Sequence, residues 1–128
     1  MVRKRPRLTD RELDVMSILW REGSGTVTEV REHLGARLAY TTVLWVLQTL
    51  DEKGFVRHTK EGRAYRYHPA IKPEDAGAGV LSQMVDKVFQ GSASMLVAQL
   101  VRERHLPVEE LERMRKLLDE RLAKGKGR

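Results

Sequence analysis

The chain has 128 residues, with 24 Lys plus Arg against 18 Asp plus Glu and a formal net charge of +6. That length suits one ordinary domain, or one small domain carrying a dimerisation element, and so short a chain gains from sharing apolar surface with a second copy. The absence of cysteine excludes disulfides, thiolate metal sites and thiol redox sensing, and no apolar run reaches the length of a membrane span. The start, MVRKRPRLTD, is basic but lacks the apolar stretch of a secretory signal, so a cytoplasmic protein without membrane insertion is expected. Residues 1–68 carry 13 basic against 9 acidic side chains, and residues 69–128 carry 11 against 9. Placement of the charge therefore says more than its total.

The first helix begins after Thr9, which can cap it with Glu12 three residues on, and Leu8 and Leu13 occupy the two positions of a hydrophobic staple. Leu13, Met16, Leu19 and Trp20 recur at helical spacing and are expected to face a core. Gly23-Ser24-Gly25 breaks this helix, and Thr26 with Glu29 repeats the capping pattern to open a second one through about Leu34. Gly35 ends it, and a short turn leads to a third helix from Tyr40 to about Lys53. Val43, Val46, Leu47 and Leu50 follow the i, i+3, i+4, i+7 rule and predict its buried face. Thr41, Thr42, Leu44, Trp45, Gln48 and Thr49 are left wholly or partly outward.

Gly54 suits the left-handed residue after a helix. Phe55 to Thr59 and Ala64 to His68 then read as a hairpin with its tip at Gly62. Pro69 and Pro73 bracket a linker. Three further helices are predicted, from about Glu74 to Phe89, Ala93 to Arg104, and Pro107 to Ala123. The fold class is mainly α with a small β-hairpin wing: a winged helix-turn-helix domain over residues 1–70 and a helical dimerisation domain over residues 71–128.

The third helix carries no acid until Asp51, and the hairpin after it carries Arg57, Lys60, Arg63 and Arg66. A polar, uncharged helix face followed by a cationic hairpin suits a DNA groove and its flanking phosphates. Thr41 and Thr42 are short donors for phosphate or partners for a thymine methyl, unless one of them only caps the helix. Gln48 has the reach for an adenine edge or a phosphate, and Tyr40 can donate to phosphate. Leu44 and Trp45 lie on the same side. Trp45 either packs on thymine methyls and sugars or folds sideways into the core between helices. Arg37, Arg63 and Arg66 are candidates for phosphate contact, with Lys60 weakened by its neighbour Glu61. Tyr65 and Tyr67 are expected to anchor the wing. Arg3, Lys4, Arg5 and Arg7 form either an arm on DNA or a solvated terminus, and Lys124, Lys126 and Arg128 present the same choice.

In the second half Val85, Val88, Leu96, Leu100, Leu111, Met114 and Leu118 have no obvious core within so small an appendage. They predict a seam between two copies, against the alternative of a three-helix packing within one chain. Two recognition helices held by such a dimer read an inverted repeat. Catalysis finds no support: no glycine-rich phosphate loop or nucleophile–base pair is present, and no cofactor is expected. His58 and His68 are candidates to face each other across the hairpin, but no third metal ligand accompanies them.

The motifs LTDRELDVMSILW at 8–20, TVTEVREHL at 26–34, AYTTV at 39–43, LQTLDEKGFV at 47–56 and GRAYRYHP at 62–69, in that order and spacing, carry a wider likeness. With VRERHLPVEELERMRKLL at 101–118, the chain resembles the BlaI/MecI family of bacterial repressors, known as penicillinase repressors, over nearly its whole length. The resemblance implies a homodimer on a double-stranded DNA operator, with C-terminal helices exchanged or interlocked between partners. In its antibiotic-responsive members a membrane-sensor or protease pathway cuts the repressor at an Asn-Phe bond, and this chain departs from that pattern with Gln99-Leu100. Trp45 and Leu44 depart from the small or polar residues common in relatives, so the operator words of the family do not transfer. A copper-responsive branch uses cysteine-rich metal sites, which this chain lacks.

Three readings follow: a homodimeric, sequence-specific repressor; a winged-helix protein-interaction module with Leu44 and Trp45 as anchors; and a DNA-binding sensor that responds to a small molecule.

Overall fold

A computed structural model describes residues 8–126 of the chain, so the basic residues Arg3, Lys4, Arg5, Arg7 and Arg128, and the side chain of Lys126, lie outside what is described. Helix α1 (Asp10–Glu22) opens with the expected capping box. Glu12 N–H donates to Thr9 Oγ1 at 3.1 Å and Thr9 N–H to Glu12 Oε1 at 2.8 Å. Strand β1 (Gly25–Thr26) follows, and Thr26 caps helix α2 (Val27–His33) in the same reciprocal way with Glu29. Helix α3 (Tyr40–Glu52) starts at Ala39, which makes no side-chain cap bond, so neither Thr41 nor Thr42 serves as the cap. Strands β2 (Val56–Glu61) and β3 (Ala64–Pro69) pair antiparallel from Val56 opposite Pro69 to Glu61 opposite Ala64.

The sheet has the order β1-β3-β2, because Gly25 and Thr26 pair with Tyr67 and Arg66. Sequence periodicity predicts the hairpin but not this third strand, since two residues carry no alternation to read. A Cβ on Gly25 would stand 3.0 Å from Val30 Cγ2, so a side chain there requires the valine to give way. Gly54, at φ +84°, ends α3 in the left-handed region and lets Phe55 N–H reach Leu50 O at 2.9 Å.

The core of this unit is built from Val15, Met16, Leu19, Val30, Val43, Leu47, Leu50 and Phe55, all fully buried. The α3 face is as predicted. The α1 face is rotated from prediction: Glu12, Val15, Met16 and Leu19 point inward, while Leu13 is exposed and Trp20 only half-buried. The cause is Glu12. Burial pulls its carboxyl upward, but the Thr9 amide and the Lys53 ammonium, 2.9 Å away, together hold it below the usual carboxylate range. A hydrophobic count cannot mark an acid as an inward position. Ile71, read as linker, is also core. It is buried, and its carbonyl accepts the Trp20 indole N–H at 2.9 Å.

Three helices follow: α4 (Pro73–Lys87), α5 (Ala93–Glu103), capped by Ser92, and α6 (Val108–Lys126). The chain divides into two compact units between Ser82 and Gln83, inside α4. No described residue after Ile71 is buried. In the second unit Val88, Val108, Leu117 and Leu118 are 60–66% exposed in the single chain, although burying one such side chain contributes about 1.5–3 kcal/mol. Among the described residues no helix is long and apolar enough to cross a membrane.

Candidate nucleic-acid interface

Helix α3 turns Val43, Val46, Leu47 and Leu50 inward, which leaves its opposite face to solvent. Tyr40, Thr41, Thr42, Trp45 and Gln48 are exposed there, and Leu44 is half-buried against the core. Trp45 is 64% exposed. The alternative in which it folds into the inter-helix core is thereby excluded, and Leu44, not Trp45, is the residue that packs inward. Thr49 Oγ1 donates to Trp45 O at 2.8 Å, so this hydroxyl is satisfied within the helix.

The turn that aims α3 is held by polar contacts. Arg31 Nε donates to Leu38 O at 2.7 Å, and Gly35 and Ala36 both take positive φ. At the other end Lys53 grips Glu12, tying the end of α3 to the start of α1. Both ends of the exposed face are therefore fixed relative to the core.

The basic residues separate into two groups. Arg37, Arg57, Lys60 and Arg63 are exposed and make no ion pair with another described residue. Arg66 is different. Its guanidinium meets Glu29 Oε1 at 2.9 Å and Oε2 at 3.1 Å, Glu61 at 3.0 Å and Ser24 at 3.2 Å. These contacts raise its already high pKa, through Glu29 first and Glu61 second, and Arg66 in turn lowers the Glu29 carboxyl, helped by the Thr26 amide. Arg66 thus braces the wing against α2, and its fork is occupied within the domain. Glu61 pairs with Arg66 and makes no ion pair with Lys60. Residues two apart on a strand share a face, so Lys60 shares the face of His58, which reaches Asp51 on α3. Lys60 is therefore better placed than adjacency to Glu61 suggests.

The same parity separates the two histidines. His58 lies opposite Tyr67 and His68 opposite Arg57, so the rings point to opposite faces. His58 bonds Asp51, and His68 meets Thr59 Oγ1 at 2.9 Å. Among the described residues no group of three or more His, Asp or Glu is placed to hold a metal ion. The tyrosines split as well. Tyr67 is buried, which pushes its hydroxyl pKa up, whereas Tyr65 stays exposed.

In the second unit Val88, Leu100, Leu111 and Leu118 are exposed, while Val85, Leu96 and Met114 are half-buried. Gln99 and Leu100 lie in the interior of α5, and Gln99 bonds Glu103 one turn on.

The sequence profile of the family described as Penicillinase repressor matches residues 8–120. The chain is 27% identical over 121 residues to the penicillinase repressor of Bacillus licheniformis, covering 93% of this chain and 94% of that one. It is 44% identical over 94 residues to the transcriptional regulator BlaI of Mycobacterium tuberculosis, covering 71% of this chain and 66% of that one. The solved DNA binding domain of the repressor BlaI superposes with a TM-score of 0.51 at 34% identity, covering 58% of this chain and 93% of that one. These relatives are repressors and regulators by name, not enzymes, and the family profile and the Bacillus licheniformis match extend through most of the helical tail. The chain belongs to the penicillinase repressor family.

Proposed function

We propose that the chain is a homodimeric transcriptional repressor that occupies an inverted-repeat operator in double-stranded DNA in the cytoplasm. The observation that carries this reading is the outer face of α3, free of carboxylate from Tyr40 through Thr49 and exposed at Tyr40, Thr41, Thr42, Trp45 and Gln48. Such a face enters a major groove without repelling the phosphates on either side. Thr41, Thr42 and Gln48 supply hydrogen bonds to base edges or phosphates, Tyr40 donates to phosphate, and Trp45, flanked by Leu44, covers thymine methyls and sugars. Arg37, Arg63 and Lys60 neutralise phosphates, and Arg66 acts through the wing it braces.

Pairing is the second half of the proposal. The uncovered residues Val88, Leu100, Leu111 and Leu118, with Val85, Leu96 and Met114 beside them, form the seam of a dimer over the helical region after residue 70, the winged domain being the part before it. The names of the relatives, a penicillinase repressor and a transcriptional regulator, support repression as the outcome. Fluorescence anisotropy on a duplex that the chain has selected from random DNA, against a scrambled duplex of the same composition, tests the reading. Binding exceeds that of the scrambled duplex and falls steeply with salt. Equal affinity for both duplexes overturns it.

A further inference from the structure

The groove between α3 and the wing holds a charge arrangement that the contacts proposed above do not use. Gln48, Asp51 and Glu52 line it from the helix, His58 from β2, and Tyr65 and Tyr67 from β3, around a volume of about 510 Å³. Asp51 is the first acid of α3, one turn beyond Gln48 and Leu47. His58 Nδ1 lies 2.5 Å from Asp51 Oδ2, and its ring stands edge-on to Tyr65 with centroids 4.9 Å apart. The side chains of His58 and Asp51 are 45% and 31% exposed, so protons reach the pair from solvent. The groups that face His58 are Asp51 and Glu52 from α3 and Tyr65 and Tyr67 from β3, with Lys60 on the same face of its own strand.

We propose that His58 and Asp51 form a proton-linked clasp that tunes DNA affinity, the protonated imidazole cancelling a carboxylate that sits beside the phosphates. The inference rests on the DNA-binding reading above. A carboxylate only accepts, so the Nδ1 atom facing it carries a proton in both the neutral and the cationic imidazole. The hydrogen bond, and the wing position it sets, survive deprotonation. What changes is the net charge of the pair, from zero to −1. Histidine is the side chain suited to such a change between mildly acidic and mildly basic solution. Bound DNA favours the cationic form, and binding takes up a proton. Affinity therefore falls as pH rises through that range. One uncompensated charge near the phosphates, in a partly aqueous groove, corresponds to roughly a threefold to fivefold loss.

The test uses the full chain and a labelled duplex that the full chain has selected from random DNA, with affinity measured by anisotropy at about pH 6 and pH 8. The wild type weakens by roughly threefold to fivefold between the two. Asp51→Asn keeps an acceptor for the imidazole but removes the carboxylate, so protonation takes the site between zero and +1; the variant binds tighter than the wild type at both pH values and at the higher pH equals the wild type at the lower. A bond with only a structural role gives the opposite, a loss. His58→Lys places a permanent cation beside Asp51 and is flat at the tight level, which keeps the test alive if Asp51→Asn fails to fold by circular dichroism. A wild-type pH profile that persists in folded His58→Lys, or a folded Asp51→Asn that binds no tighter than the wild type at the higher pH, overturns the clasp and leaves the DNA reading intact. Failure of the wild type to prefer the selected duplex at either pH overturns both.

Discussion

Replacing Glu12 tests how α3 is held. Glu12 serves two partners at once: its carboxylate accepts from the Thr9 amide at 2.8 Å, and the Lys53 ammonium stands 2.9 Å from both of its oxygens. Glu12→Gln keeps the first bond, because glutamine also completes a capping box, and removes the charge that meets Lys53. The Glu12 side chain is 6% exposed and that of Lys53 26%, so the lysine retains access to water and the cost stays near that of one charged hydrogen bond, about 1–2 kcal/mol. Glu12→Ala also removes the cap and costs about 1 kcal/mol more. Urea unfolding followed by circular dichroism at neutral pH measures both, at one fixed protein concentration.

The pH dependence of the gap is the sharper reading. Glu12 titrates lower in the folded chain than in the unfolded one, so in acid the unfolded chain takes up its proton first. The stabilisation is complete above the unfolded-state value, roughly 4.3, and is lost as pH falls through the lower folded-state value. The wild type and Glu12→Gln should therefore differ at neutral pH and converge in acid. A gap below about 0.5 kcal/mol at neutral pH, or one that acid leaves unchanged, refutes the reasoning.

Three further outcomes are expected. Trp45→Ala leaves stability within about 0.5 kcal/mol, because the ring is 64% exposed, yet weakens binding to a selected duplex by roughly tenfold through lost contact with thymine methyls and sugars; thermal melts and anisotropy separate the two effects. Arg63→Ala lowers the slope of log affinity against log salt by about 0.9 with base preference unchanged, as loss of one phosphate contact requires. Gly25→Val destabilises by roughly 1–3 kcal/mol, since even its Cβ would meet Val30 Cγ2 at 3.0 Å, and urea unfolding reads the difference.

Much of this architecture is legible in the residues because it is local. Thr9 with Glu12 and Thr26 with Glu29 announce two helix starts through bonds spanning three residues. Val43, Val46, Leu47 and Leu50 announce the buried side of α3 by spacing alone, and so also its free side. What escapes is set by pairing across the chain. Gly25 and Thr26 become a strand by pairing with the edge of β3, and Ile71 joins the core beside Trp20, 51 positions earlier, whose indole bonds its carbonyl. Arg66 looks like its neighbours Arg57 and Arg63 in sequence, yet the α2 capping residue Glu29 lies within its reach and occupies it. The inward turn of Glu12 has the same origin, since Lys53 is 41 residues away. The candidate DNA face was readable for the opposite reason: it consists of residues that α3 leaves uncovered once its core side is known.

The stoichiometry and symmetry of the selected complex test the central claim most directly. Selection from random DNA by the full chain, followed by native mass measurement of the winning duplex, should give two chains on one inverted repeat, with half-site centres about one helical turn or a multiple of it apart. One chain bound to a site without symmetry, or a pool that never converges on a sequence, contradicts it.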